Sequence, residues 1–148
     1  MAFWQYSFWA VPRQSLIKQY GAIPVSITED EFNDVNWFDD SYQLTKFIES
    51  INYLQKSNHW DKGTLFFGGY DADCIAIMLD NGVVNEINIR IDLRNQGVPV
   101  LDKIAKSLSE NDLIIIDESM GTNEPMSDAF IHNINIDIQC KNNFFKDK

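Results

Sequence analysis

Cysteine is nearly absent: Cys74 and Cys140 are the only two in 148 residues. Two thiols so far apart frame neither a disulfide scaffold nor a zinc cluster. A chain of this length buries roughly 70% of the surface its unfolded form exposes, so it needs no staple. We read both as free thiols in a reduced compartment. Glycine (7) and proline (4) are too sparse for a collagen-like or low-complexity chain. Basic residues are also scarce, with 12 Lys and Arg against 22 Asp and Glu for a net charge of −10. The acids are spread along the chain, so no acidic tail explains the charge. Such a field repels phosphate backbones and anionic lipid, which argues against nucleic acid and membrane as partners, and it attracts basic proteins. No apolar run approaches the ~20 residues of a membrane span. Met1 to Val11 lacks a basic n-region and is interrupted by Gln5 and Ser7, so it reads as mature protein. The expectation is a soluble, cytoplasmic protein.

Catalytic signatures are missing as well. The sequence holds no G-x-S-x-G, no phosphate loop with its Lys-Ser/Thr, no H-E-x-x-H, no C-x-x-C and no EF-hand loop. Gly68-Gly69 follows a strand pattern but lacks the third glycine and the lysine that would cradle a phosphate. No catalytic residue, cofactor or metal ligand is assigned, and the expectation is a protein that is not an enzyme.

What is present is strand and helix patterning over a single domain, residues 1–148, with 141–148 reading as a flexible tail. Residues 2–10 alternate, with Ala2, Trp4, Tyr6, Phe8 and Ala10 on one face. A helix follows from Pro12 to Tyr20, with Leu16, Ile17 and Tyr20 inward and Gly21 as its stop. Asp40 and Gln43 resemble a capping box, and Leu44, Phe47, Ile48, Ile51 and Leu54 predict a helix over 41–56. Thr64–Phe67 is a short strand. Ile75, Ile77 and Leu79 alternate up to Asn81-Gly82, after which Ile87, Ile89, Ile91 and Leu93 alternate again, a strong hairpin signal. Pro99 opens a second helix with Val100, Leu101, Ile104, Ala105 and Leu108 inward. Leu113–Ile116 reads as a central strand, and Phe130, His132, Ile134, Ile136 and Ile138 as one face of a last strand. Runs of strands with few helices between them predict an α+β fold, a mostly antiparallel sheet of about six strands with helices packed on one face.

The most unusual segment is Thr28 to Asp40, with six acids, no base and three aromatics. Carboxylates speed encounter with a basic partner, and interleaved rings supply anchors. Its Glu29, Asp30, Glu31, Asp34, Trp37 and Asp39 are therefore candidate partner-binding residues, together with Asp71 and Asp73. Against this stands an ordinary solvated loop with Phe32, Trp37 and Phe38 turned inward. A second candidate is the polar face of the hairpin, where Asp71, Asp73, Arg90, Asp92 and Arg94 could assemble a small enzyme, ligand or metal site, although alternating Arg and Asp also simply finish a wet sheet face. His59 beside Asp61 could form a general-base pair, but next to Trp60 it fits capping and packing better. His132 shares an apolar face and reads as a core histidine, and Cys74 has no adjacent base to activate it.

Residues 68–94, GGYDADCIAIMLDNGVVNEINIRIDLR, resemble small bacterial immunity proteins of polymorphic-toxin and contact-dependent growth inhibition systems. The resemblance covers the Gly-Asp entry, the Asp80-Asn81-Gly82 turn and the Ile-Arg-Ile-Asp-Leu-Arg exit. It implies an inhibitor that binds a cognate toxin domain, commonly a basic nuclease, and blocks its active site. Immunity proteins share a role more than a fold, so no site residue is carried over.

Overall fold

The computed structural model describes residues 5–39, 42–70, 72–92, 99–128 and 130. Its architecture is α+β, with a sheet of seven strands among the described residues. The first strand, β1 (Gln5–Pro12), leads directly into α1 (Arg13–Tyr20). Then come α2 (Glu29–Asp34), α3 (Leu44–Ser50), and the strands β2 (Lys56–Ser57), β3 (Thr64–Gly68), β4 (Cys74–Asp80) and β5 (Val83–Asp92). The chain ends its described course with α4 (Pro99–Glu110), β6 (Leu113–Ile116) and β7 (Thr122–Asn123). All pairings are antiparallel, in the order β2-β3-β4-β5-β1-β6-β7. Strands β2 to β5 form a meander, while β1 is inserted between β5 and β6.

The hairpin forms where the alternation places it. Asn81 and Gly82 both have positive φ (53° and 81°), the two left-handed residues of a type I′ turn, whose twist matches that of the flanking strands. Ile75, Ile77, Ile87, Ile89 and Ile91 are all 0% exposed. Each such side chain stabilises by roughly 1.5–3 kcal/mol relative to exposure. They share one core cluster with Phe8 and Ala10 of β1, Phe47 of α3, and Leu101, Ile104 and Leu108 of α4. Helix α4 packs on β6 and α3, and Ser107 ties the two helices by donating to the Ser50 carbonyl at 2.9 Å. Gly21, left-handed at φ 82°, ends α1 as expected, with its N–H donated to the Ile17 carbonyl.

Three expectations need correction. The helix predicted over 41–56 is only Leu44–Ser50, because after Ser50 the chain tightens into turns bonded from Ile51 N–H to Ile48 O and from Leu54 N–H to Ile51 O. Ile51 and Leu54 still pack on the core, so their spacing looked helical. Gln43 caps that helix without a side-chain bond. The capping box stands instead at Thr28 and Glu31, so half of the acidic stretch is helix α2 rather than loop. The helix expected from Pro12 starts one residue later, at Arg13, because Pro12 is still the last residue of β1, paired with Leu113. The predicted positions Ala2 and Trp4, and the last strand beyond Phe130 with the tail 141–148, lie outside the described residues.

Candidate functional site

Directly paired strand residues point to the same side of a sheet. The row Phe66, Ala76, Asn88, Trp9 and Ile116 runs across β3, β4, β5, β1 and β6. This row lies on the side opposite the isoleucine face. Phe32 of α2 packs on Trp9, ring centroids 5.4 Å apart, so α2 sits over that same side. Thr28 Oγ1 accepts from the Glu31 N–H while Glu31 accepts from the Thr28 N–H, each at 3.1 Å. The Tyr20 hydroxyl, donating at 2.7 Å, and secondly the bonds from Thr28 hold the Glu31 carboxyl below the usual carboxylate range. Glu31 therefore builds the helix start and is committed to local bonds. Glu29, Asp30, Asp34 and Asp39 are exposed.

Trp37 corrects the expectation that it is a partner anchor. It is 3% exposed, its indole N–H donates to the Phe32 carbonyl at 3.0 Å, and its ring lies 6.5 Å from that of Tyr20. A large apolar ring that also finds an acceptor for its N–H is more stable inside than out.

The acids of α2 do not stand alone. A cleft of about 280 Å³ is lined by Asp39, Tyr42, Lys46, Glu110 and Asp112 among others. A groove of about 430 Å³ shares its Ser15, Trp37 and Asp39 wall and continues along Lys18 to Asp34. A third of about 450 Å³ shares Asp34, Val35 and Asn36 with the second and ends at Asp80 and Asn81 of the hairpin turn. The three make one furrow, with five acids (Asp34, Asp39, Asp80, Glu110, Asp112) against Lys18 and Lys46. Arg13 braces its far end, 2.9 Å from Asp112 and 2.6 Å from Glu124. Beside the furrow, Glu86 is half buried and accepts from the Trp9 indole; burial is the larger effect and pushes its carboxyl up. Asp80, Glu110 and Asp112 escaped sequence reasoning because each lies far along the chain from the acidic segment and carries no local signal.

The alternative polar face is only partly assembled. Asp73 is half buried and accepts from the Asp92 N–H at 2.7 Å, while Asp92 is buried. Arg90 lies across from Cys74, whose thiol is pushed up chiefly by burial. Asp71 and Arg94 lie outside the described residues, as do His132 and Cys140. Among the described residues no group of three or more His, Cys, Asp or Glu side chains is placed to hold a metal ion. No described helix is long and apolar enough to cross a membrane.

His59 and Asp61 do not form an oriented acid-base pair. His59 Nδ1 accepts the Asp61 backbone N–H at 3.0 Å, and the Asp61 carboxylate is turned to Gly63 N–H and the Thr64 hydroxyl. The imidazole instead stacks on Tyr70 at 5.7 Å, and Tyr70 on Phe66 at 4.7 Å. Gly68 makes this possible: its φ is 98°, and a Cβ there would stand 2.2 Å from the Asp73 carbonyl, so only glycine turns the chain back over β3.

No family model, no curated protein and no solved structure matches this chain.

Proposed function

We propose that this protein is an inhibitor of the immunity type, which binds a basic cognate toxin domain and covers its active site by electrostatically steered association. The observation that carries the reading is the furrow in which Asp34 of α2, Asp39, the Asp80 turn and the end of α4 converge from separate parts of the chain. An acidic channel built from a rigid sheet and its flanking helices offers a ready-made complement to a surface that holds phosphates. Glu29, Asp30, Asp34, Asp39 and Asp80 supply the attraction; Glu31 and Trp37 keep the segment in shape. A nuclease is the toxin class that fits best, because its active site is itself cationic.

The test is recovery of the partner by pull-down from the native host, co-expression with its toxin domain scored by growth rescue, and stopped-flow binding of the purified pair. Charge reversal at Asp30, Asp34 and Asp80 is expected to slow association at least tenfold at low salt and to remove most of its salt dependence. No rescue by the wild-type protein, or an on-rate indifferent to both salt and charge reversal, would overturn the proposal.

A further inference from the structure

A second feature lies on the same side of the sheet as α2 and takes no part in the furrow. Trp60 is 83% exposed and Tyr70 44%, yet both have ring neighbours. His59 lies between them, its ring centroid 5.1 Å from Trp60 and 5.7 Å from Tyr70 with interplanar angles of 32° and 28°. Tyr70 rests on the buried Phe66, and its hydroxyl accepts the Trp60 backbone N–H at 3.2 Å. Together the four rings form a shelf. Rings already ordered lose little freedom on binding, which is why such side chains make strong anchors.

The charge of the chain selects the occupant. An exposed indole face attracts cations through its quadrupole, and residues 59–73 add three acids against one base within a chain of net charge −10. A nucleobase would bring phosphate into that field. Among cationic side chains the flat, weakly hydrated guanidinium stacks best. Phe66 and Trp9 stand in one cross-strand row, three strand spacings apart, so the shelf and α2 are separated by about 14 Å. One interface of ordinary size, about 800 Å² per partner, spans both.

We infer that Trp60, propped by His59 and Tyr70, is the docking point for an arginine side chain presented by the same basic protein partner; the inference rests on the function proposed above. The test needs no partner. Isotope-labelled full-length protein is titrated at constant ionic strength with Nα-acetylargininamide and, separately, with Nα-acetylcitrullinamide, its uncharged isostere. The readouts are the Trp60 indole N–H, assigned by its loss in Trp60→Phe, and the backbone amides of Asp61 and Tyr70. The expected result is saturable shifts with Nα-acetylargininamide, about fivefold weaker apparent affinity for Nα-acetylcitrullinamide, and loss of the amide shifts in Trp60→Ala, whose other resonances stay in place. Equal response to Nα-acetylcitrullinamide, response to N-acetylglucosamine or cytidine instead, shifts on dilution of the protein alone, or amide shifts that survive Trp60→Ala would each overturn it. A negative titration leaves the acidic-furrow reading standing, and failure of toxin neutralisation leaves the Nα-acetylargininamide result standing.

Discussion

Replacing Tyr42 by phenylalanine is expected to stabilise the protein. The Tyr42 ring packs edge-on against Phe38, centroids 5.1 Å apart at 78°, and phenylalanine preserves that contact. The hydroxyl, in contrast, is buried and has no hydrogen-bond partner among the described residues. Such a group forfeits its bonds to water, a cost of about 1–3 kcal/mol. Deleting it should return about 1 kcal/mol near neutral pH, or a rise in Tm of roughly 2–4 °C for a chain of this size. The gain should grow in alkali. Burial pushes the phenol well above its ordinary value, so the folded state keeps the proton that the unfolded chain releases near pH ~10. Tyr42 therefore contributes stability fully below that pH and loses it as pH rises toward the folded value, by up to about 1.4 kcal/mol per unit. Tyr42→Phe carries no such loss. Other tyrosines titrate identically in both proteins and cancel in the comparison. Urea unfolding of the two proteins, at neutral pH and again at about pH 10.5, measures both effects. A less stable variant at neutral pH with an unchanged m value, or a difference that stays flat with pH, would refute the reasoning.

Glu86→Gln tests a carboxyl whose value is raised mainly by burial. Its contribution is full below the unfolded value of about 4.3 and is lost as pH rises through the folded one, so wild type should lose stability relative to the variant between about pH 4 and 7 in parallel urea titrations. Trp37→Ala should cost about 3–5 kcal/mol of folding stability, measured by chemical denaturation, and the same variant's loss of binding should track its unfolded fraction rather than a faster off-rate. Cys74, buried and with its thiol pushed up, should resist alkylation in the native protein and react on unfolding, as intact-mass spectrometry would show; rapid native labelling of Cys74 would contradict its burial.

Where periodicity and turn chemistry agreed, the sequence was easy to read. The alternation from Ile75 to Ile91 about Asn81-Gly82, and the apolar stripe of α4, both appear in the structure as expected. The two-residue strands β2 and β7 carry no pattern of their own and exist because longer neighbours offer them an edge. Helix α3 is shorter than its spacing predicts because burial continues through Ile51 and Leu54 after the helical bonding stops, and spacing alone records only burial. Thr28 and Glu31 form the capping box that the spacing of Asp40 and Gln43 predicts twelve residues later, a signal present in the sequence but outweighed by the charge around it. Trp37 was ambiguous for a different reason. An aromatic among acids suits an interface or a core equally, and what decides between them is the Phe32 carbonyl that receives its indole N–H. The furrow was invisible because what brings Asp34 to one groove with Asp80, and Asp39 to another with Asp112, is the topology.

The insertion of β1 between β5 and β6 also dictates an order of assembly. The pairings of β1 reach across long stretches of chain, as between Ser7 and Arg90 or Trp9 and Ile116, and side-chain bonds span as far, with the Asn88 amide donating to the Ser7 hydroxyl 81 residues away and the Ser7 N–H to the Glu118 carboxylate 111 residues away. On the ribosome the meander β3-β4-β5 can zip locally as it emerges, whereas the aromatic first strand must wait, its backbone unpaired, until more than half of the protein has been made. Closing such large loops carries an entropic cost that slows the final step. During that interval Tyr6, Phe8 and Trp9 are a natural target for chaperones and a point of vulnerability to misassembly. A nascent chain halted before Val83 would hold no native partner strand for β1, and the full-length protein is expected to refold slowly from denaturant for the same reason.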